Sequence, residues 1–194
     1  VGAPWWTRYQ PASYKLVSRS GDEAQFKDMI QRCNAVGVMV IVDIVINHMA
    51  NGMNRSGCGV GIAGSTFCNR IYPAVPYGQE DFHHDFLNPT KNCVCTTNED
   101  FNRASSMQTC DFSLLPDLNT ERPETVAKIV ELLNHISSLG SSVGYRIDAA
   151  KSIAPESLQR ILAGAGSPWE YSEVNSEPGK AEPALWPSAY ESMG

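Results

Sequence analysis

The chain has 194 residues, 42% hydrophobic and 19% charged, with a formal net charge of −6 at pH 7. These values suit a soluble globular domain or part of a larger one, and the absence of a basic stripe argues against nucleic acid as a partner. The longest apolar run, Val38 to Ile46, contains Asp43 and falls far short of the roughly 18 residues that a membrane span needs.

The chain opens on Val1 with neither Met nor a charged-then-apolar leader, and so reads as an internal piece of a longer chain. Trp5, Trp6, Tyr9, Gln10 and Pro11 form an aromatic cluster without periodicity, which predicts a loop. Rings beside Arg8 and Gln10 suit a sugar, whose CH faces stack on aromatics while its hydroxyls need polar partners; simple packing is the competing reading. Helical spacing of Phe26, Met29, Ile30, Cys33 and Val36 predicts a helix over 22–36, stopped by Gly37. The apolar run from Val38 to Ile46 then predicts a strand covered on both faces, ending in Asn47 and His48.

Residues 49–117 break this alternation. They are rich in Gly, Asn, Ser and Cys and keep no period for long, which predicts a small irregular subdomain inserted after the strand. Of six cysteines (Cys33, Cys58, Cys68, Cys93, Cys95, Cys110), five fall in this stretch and none forms a CxxC pair. Disulfides of a secreted protein explain them better than zinc does, and spacing leaves the pairing open. Asp81-Phe82-His83-His84-Asp85 carries metal-type side chains, but adjacent His residues share no face of a strand or helix.

Order returns after the insert. Pro123 and the spacing of Val126, Ile129, Val130, Leu133 and Ile136 predict a helix over 121–139. Val143, Tyr145 and Ile147 predict a buried strand over 143–148, with Arg146, Asp148 and Lys151 crowded at its end. A helix from Pro155 to Leu162 and a strand over 169–174 ending near Glu173 follow, and 175–194 reads as loop. Three strands deliver polar groups at their C-terminal ends, where ligands bind in parallel α/β proteins.

Two carboxylates on neighbouring strand ends beside an aromatic loop suit glycosidic bond cleavage. In the retaining form one carboxylate attacks the anomeric carbon while the other donates a proton to the leaving oxygen. Arg146 is expected to lower the pKa of Asp148 and suit it as nucleophile. Glu173, between Trp169, Tyr171 and no adjacent cation, is expected to be the proton donor.

These residues resemble the α-amylases, the large retaining family that acts on α-1,4-glucans, and animal-type members above all. Five stretches carry the likeness in family order: Trp5-Trp6 through Pro11, Asp43 to His48, Leu115 to Leu118, Gly144 to Lys151, and Glu173-Val174. The resemblance implies an α/β fold, a partial (β/α)8 TIM barrel with an irregular disulfide-stapled subdomain inserted after the third barrel strand. Residues 1–48 and 118–194 would be barrel segments and 49–117 the inserted, calcium-linked subdomain. It implies Asp148 as nucleophile, Glu173 as general acid/base and Arg146 as the orienter of Asp148. Trp5, Trp6, Tyr9, Gln10, His48, Arg146 and Lys151 would bind substrate.

The resemblance further implies calcium held by Asn47, Asp117 and the main-chain oxygens of Gln108 and Ser152, with chloride at Arg146. It implies that Cys110 pairs with Cys95 or Cys93, Cys58 with Cys68, and that Cys33 is free. Starch, glycogen and malto-oligosaccharides would be the substrates of a secreted monomer. The departures are Ser152 for the usual His, Asn175-Ser176 for Ile-Asp, and Phe101 for Tyr. They leave as the alternative a non-catalytic amylase-like glucan-binding protein. Three barrel strands of eight are expected here, and the fragment alone is expected to be inactive.

Overall fold

The computed structural model describes residues 4–52, 57–84, 92–166, 168–176 and 179–191. After a 3-10 turn over Trp5–Tyr9, helix α1 (Glu23–Ala35) starts on a reciprocal cap. Gln25 N–H donates to the Asp22 carboxylate, and the Gln25 side chain accepts from the Asp22 N–H. Gly37, at φ +78, turns the chain out of the helix. Strand β1 (Val40–Ile44) follows. It corrects the expectation of a strand covered on both faces: Ile44 is buried, but Met39, Ile41 and Asp43 stand exposed on the opposite face.

The stretch between β1 and the next long helix builds order from very short pieces. Strands β2 (Cys58–Val60) and β3 (Thr66–Cys68) pair antiparallel, closed by a Cys58–Cys68 disulfide. Strands β4 (Val94–Cys95) and β5 (Asp111–Phe112) pair in parallel, with helices α2 (Asn98–Asn102) and α3 (Ala104–Met107) between them and a Cys93–Cys110 disulfide across them. Cys33 and Cys95 are free. Strands of two or three residues complete no recognisable period, which is why the sequence shows none here. Met49, Phe67, Tyr72, Tyr77, Phe82 and Leu118 pack into a local core.

Helix α4 (Pro123–Ser137), strand β6 (Val143–Ile147), helix α5 (Pro155–Gly164) and strand β7 (Glu170–Ser172) complete the alternation. The last strand is shorter at both ends than the predicted 169–174. The three long-range strands form one parallel sheet in the order β1-β6-β7. Ile129, Leu133 and Ile136 of α4 and Leu158, Ile161 and Leu162 of α5 bury one face of that sheet with Ile44, Tyr145 and Ile147. A fully buried Ile or Leu side chain contributes about 1.5–3 kcal/mol, so this layer fixes the relative position of the strands. The Tyr145 hydroxyl donates to Leu133 O at 2.6 Å, which locks β6 to α4.

Candidate active site

Parallel register sets the site. Asp43 lies opposite Arg146, and Arg146 lies opposite Tyr171. The ladder runs one residue past each strand, through Asp148 N to Ile44 O and Glu173 N to Ile147 O, both at 2.9 Å. The side chains of Asp43, Asp148 and Glu173 therefore converge from three adjacent strand ends on the Arg146 guanidinium. Nη1 contacts Asp43 Oδ1 at 2.5 Å and Asp148 Oδ1 at 2.9 Å, while Nη2 contacts Glu173 Oε2 at 2.9 Å. Ala149, in the left-handed region at φ +49, turns the chain so that its N–H also donates to Glu173 Oε2 at 3.1 Å. A non-glycine residue there costs about 1–2 kcal/mol, which the convergence of contacts offsets.

This arrangement corrects two expectations. Asp148 is not lowered by Arg146: burial raises it, the guanidinium pulls it back, and the charges of Glu173 and Asp43 raise it again, to about 6. Glu173 does not lack a cation, because Arg146 reaches it across the strands. One guanidinium shared by three carboxylates cannot neutralise them all.

The aromatic segment reaches this cluster through Tyr9, whose hydroxyl donates to Asp43 Oδ2 at 2.8 Å. His48 is buried, and burial pushes its pKa down to about 4 despite the hydrogen bond to the Tyr9 carbonyl, so the ring is neutral. Its Nε2 lies 2.9 Å from Tyr9 O. Thus His48 positions Tyr9, which in turn positions Asp43. Trp5 and Trp6 are 75% and 41% exposed, and Trp5 meets Tyr9 edge-on at 6.0 Å. Gln10 is half-buried beside them. Lys151 donates to Asn175 O at 3.3 Å, and burial lowers its pKa.

A second set of groups lies behind His48. The Asn47 amide Nδ2 lies 3.3 Å from His48 Nδ1, which accepts when Nε2 carries the proton toward Tyr9 O. The opposite end of the amide then faces Asp117 Oδ1 at 3.2 Å and Ser152 O at 2.9 Å. With Nδ2 on His48, three oxygens face one another, the donor set that a hard divalent cation takes. The Tyr190 hydroxyl donates to Ile153 O at 2.8 Å and lies 3.3 Å from Gln108 Nε2, which draws Gln108 to the Ser152 turn. With Nδ2 on His48, the oxygens of Asn47, Asp117 and Ser152 make a donor set that fits calcium. At Arg146, where the resemblance also implies chloride, Nη1 is engaged by Asp43 and Asp148 and Nη2 by Glu173.

Residues 7–165 match the family model described as alpha amylase, catalytic domain. The chain belongs to the alpha-amylase family. It is 48% identical to an alpha-amylase of Tribolium castaneum over 162 residues, 82% of this chain and 30% of that one. It is 40% identical to an alpha-amylase-related protein of Drosophila ananassae over 181 residues, 92% of this chain and 33% of that one. The fold matches alpha-amylase I of Eisenia fetida with a TM-score of 0.81 at 33% identity, covering 96% of this chain and 38% of that one. A mutant of that earthworm protein, in complex with maltohexaose, matches equally. The chain thus spans about a third of the length of the relatives it matches, and its three-stranded sheet with α4 and α5 is part of a TIM barrel.

Three residues of this chain carry more than its sequence assigned them. Asp43 was visible as the charge interrupting an apolar strand and as the first residue of the Asp43–His48 stretch, but with no role of its own. His83 bridges Asp117 Oδ2 at 2.7 Å and Glu121 Oε2 at 2.6 Å. Burial works to lower its pKa, but the two carboxylates outweigh burial and lift it to about 9. Asp81 is fully buried on Arg122, Thr125 and Lys128 of the α4 start, and Gly78 N–H donates to it as well. His84 turns instead to Asn92 and Gln79 O, so the two His residues of that run serve different partners; Asp85 lies outside the described residues.

Proposed function

We propose that this chain is the central piece of an α-amylase that hydrolyses internal α-1,4 bonds of starch, glycogen and malto-oligosaccharides with retention of configuration. The observation that carries the proposal is the meeting of Asp148 and Glu173, from adjacent parallel strands, on one guanidinium. By motif position Asp148 is the nucleophile and Glu173 the acid/base. Asp148 is ionised above about pH 6, and Arg146 holds its Oδ1 so that the other oxygen is free to attack. To donate a proton, Glu173 has to give up its Arg146 contact, with the guanidinium retained by Asp43 and Asp148. The excess of carboxylates favours an oxocarbenium-like centre in the transition state. The exposed Trp5 and Trp6 and the half-buried Gln10 and Lys151 offer rings and hydrogen bonds to flanking glucose units.

Within this reading, residues 49–117 are the subdomain inserted after the third barrel strand. Asn47, Asp117 and the main-chain oxygens of Gln108 and Ser152 would hold calcium across the two parts. When bound, calcium supplies a positive charge that clamps this junction. Residue by residue, Asn47 orients His48, and His48 orients Tyr9. The two disulfides in the irregular stretch support a secreted protein.

The test uses the full-length protein with Asp148→Asn and Glu173→Gln, measured on soluble starch, with the anomeric form of the first product followed by NMR. Each substitution is expected to remove at least about 1,000-fold of kcat/KM, and wild type to release the α-anomer. Near-normal hydrolysis by either variant would show the roles to be wrong.

A further inference from the structure

The Asp117 carboxylate stands in the oxygen cluster behind His48, and its main chain is gripped from the other side. Its segment pairs with residues 47–49: Leu118 N–H donates to Asn47 O at 2.9 Å, and Met49 N–H to Pro116 O at 3.0 Å. Alternation along such a pair turns the Asp117 N–H and carbonyl away, toward the irregular stretch. There the carbonyl accepts the His83 N–H at 3.0 Å, and the N–H donates to Asp111 Oδ1 at 3.0 Å. The other Asp111 oxygen, Oδ2, meets Arg70 Nη2 at 2.5 Å, and the two side chains are only 8% and 9% exposed. With its amide oxygen turned to Arg70, Asn92 accepts from Nε at 3.0 Å and from Nη2 at 2.6 Å. The guanidinium also lies over the Phe82 ring, 5.4 Å from its centre.

We propose that Arg70 and Asp111 are positioning residues for calcium: they fix the main chain at Asp117 so that its carboxylate stands ready before the ion arrives. A buried ion pair is a poor source of stability beside apolar side chains of similar volume, so stability alone does not account for this one. Arg70 sits in the left-handed region at φ +60. A non-glycine residue keeps that conformation only where its surroundings hold it, and such positions concentrate where geometry serves function. Each member of the cluster is also tethered beside a disulfide. Arg70 lies two residues after Cys68, Asn92 just before Cys93 and Asp111 just after Cys110. Both staples of the irregular stretch thus converge on one carboxylate, and that carboxylate holds Asp117. Neither Arg70 nor Asp111 belongs to the proposed ligand set, so the pair acts through Asp117. The inference rests on the calcium reading given above and deepens it by naming what sets the affinity.

The experiment takes the full-length protein, freed of calcium by chelator, and titrates it with calcium chloride by isothermal calorimetry. Wild type is compared with Arg70→Met/Asp111→Ala, which leaves no buried charge unpaired, and with Arg70→Met/Asp111→Asn, which keeps an oxygen for the Asp117 N–H. The Ala variant is expected to raise the calcium Kd about 10–100-fold, the usual effect of losing a group that orients a ligand, and the Asn variant to recover part of that loss. Equal Kd values in all three proteins would overturn the proposal. Equal losses in the two variants would overturn it as well, since the pair would then be merely structural. A further measurement needs no variant: hydrogen exchange of the Asp117 amide in calcium-free wild type, read at residue level by mass spectrometry. Protection is expected, and an amide that exchanges freely until calcium is added would show that the ion, not the pair, orders Asp117. A wild type that takes up no calcium would instead defeat the calcium reading, and the inference with it. The wild-type titration thus tells the two failures apart.

Discussion

Asp148→Asn should stabilise the folded protein at neutral pH while removing its activity. The folded state holds the Asp148 carboxyl at about 6, against an ordinary value of 3.8. Burial is the main cause, and the carboxylates of Glu173 and Asp43 add to it against the pull of Arg146. A raised carboxyl pKa reverses the usual sign. Below about pH 4 the group is protonated in both folded and unfolded chains and has no effect. Between about pH 4 and 6 the folded chain keeps a proton that the unfolded chain has released, so stability falls as pH rises, and above 6 the penalty is constant. Its upper limit is roughly 3 kcal/mol at 1.36 kcal/mol per pH unit. An Asn amide fits the Arg146 contact less well, so a net gain of about 1–2 kcal/mol is expected at pH 7. Urea unfolding of the full-length wild type and variant, followed by tryptophan fluorescence at pH 4 and pH 7, measures it. A difference that does not grow with pH, or a variant less stable than wild type at pH 7, would refute the reasoning.

Asp81→Asn should destabilise the protein by about 2–4 kcal/mol, because it leaves Arg122 and Lys128 facing a buried neutral amide. Burial works to raise the Asp81 pKa, but the Gly78 N–H, Lys128 and Thr125 outweigh it and hold it below the ordinary value. The wild-type contribution is therefore present above about pH 4 and is lost as pH falls through the folded value; a loss under about 1 kcal/mol at pH 7 would remove Asp81 as the clamp. Asp43→Asn takes away one of the charges that raise Asp148 and frees Nη1 for it, so the acid limb of kcat/KM should move down by about half a pH unit. An unmoved limb would show that Asp43 does not act on Asp148. Chelation of calcium should lower the melting midpoint by about 5–10 °C, the shift expected for an ion present at roughly 100 times its Kd. Asp117→Asn should abolish that difference, and an unchanged wild-type midpoint would take calcium out of the proposal.

The long elements were legible because their burial repeats enough times to show a period. In α4, Ile129, Leu133 and Ile136 return to one face every three or four residues, and Tyr145 and Ile147 alternate in β6. The hairpin at Cys58–Cys68 was not legible, since two three-residue strands joined by a disulfide leave no repeat. The anchoring of residues 72–82 on α4 was also hidden, because Asp81 meets Arg122 and Lys128 more than 40 positions away in sequence. The carboxylates at the strand ends could be named from local pattern, but their electrostatics could not. Arg146 and Asp148 look like a private pair in sequence, and only the register of β1, β6 and β7 reveals that one cation serves three acids.

That sharing follows from the face of the sheet on which the acids stand. Ile41 and Asp43 alternate with the half-buried Val40 and Val42 and the buried Ile44 of β1, and Trp169 and Tyr171 flank the half-buried Glu170 at β7; all four are exposed, on the side away from α4 and α5. The same face therefore carries an apolar layer low on the strands and the carboxylates at their C-terminal ends. Both β1 and β7 are sheet edges within the order β1-β6-β7, with backbone groups free to pair further. In a closed barrel additional strands cover this layer and bring the apolar floor up to the acids. Excluding water there strengthens every charge interaction among Asp43, Asp148, Glu173 and Arg146. With two negative charges in excess, stronger coupling raises the cost of ionising all three acids together, so closure pushes at least one of them toward carrying a proton. Retaining hydrolysis needs one ionised carboxylate and one protonated one. In the retaining mechanism proposed above, the pairing of an apolar lumen with an over-supplied acid cluster would let barrel closure set that protonation pattern.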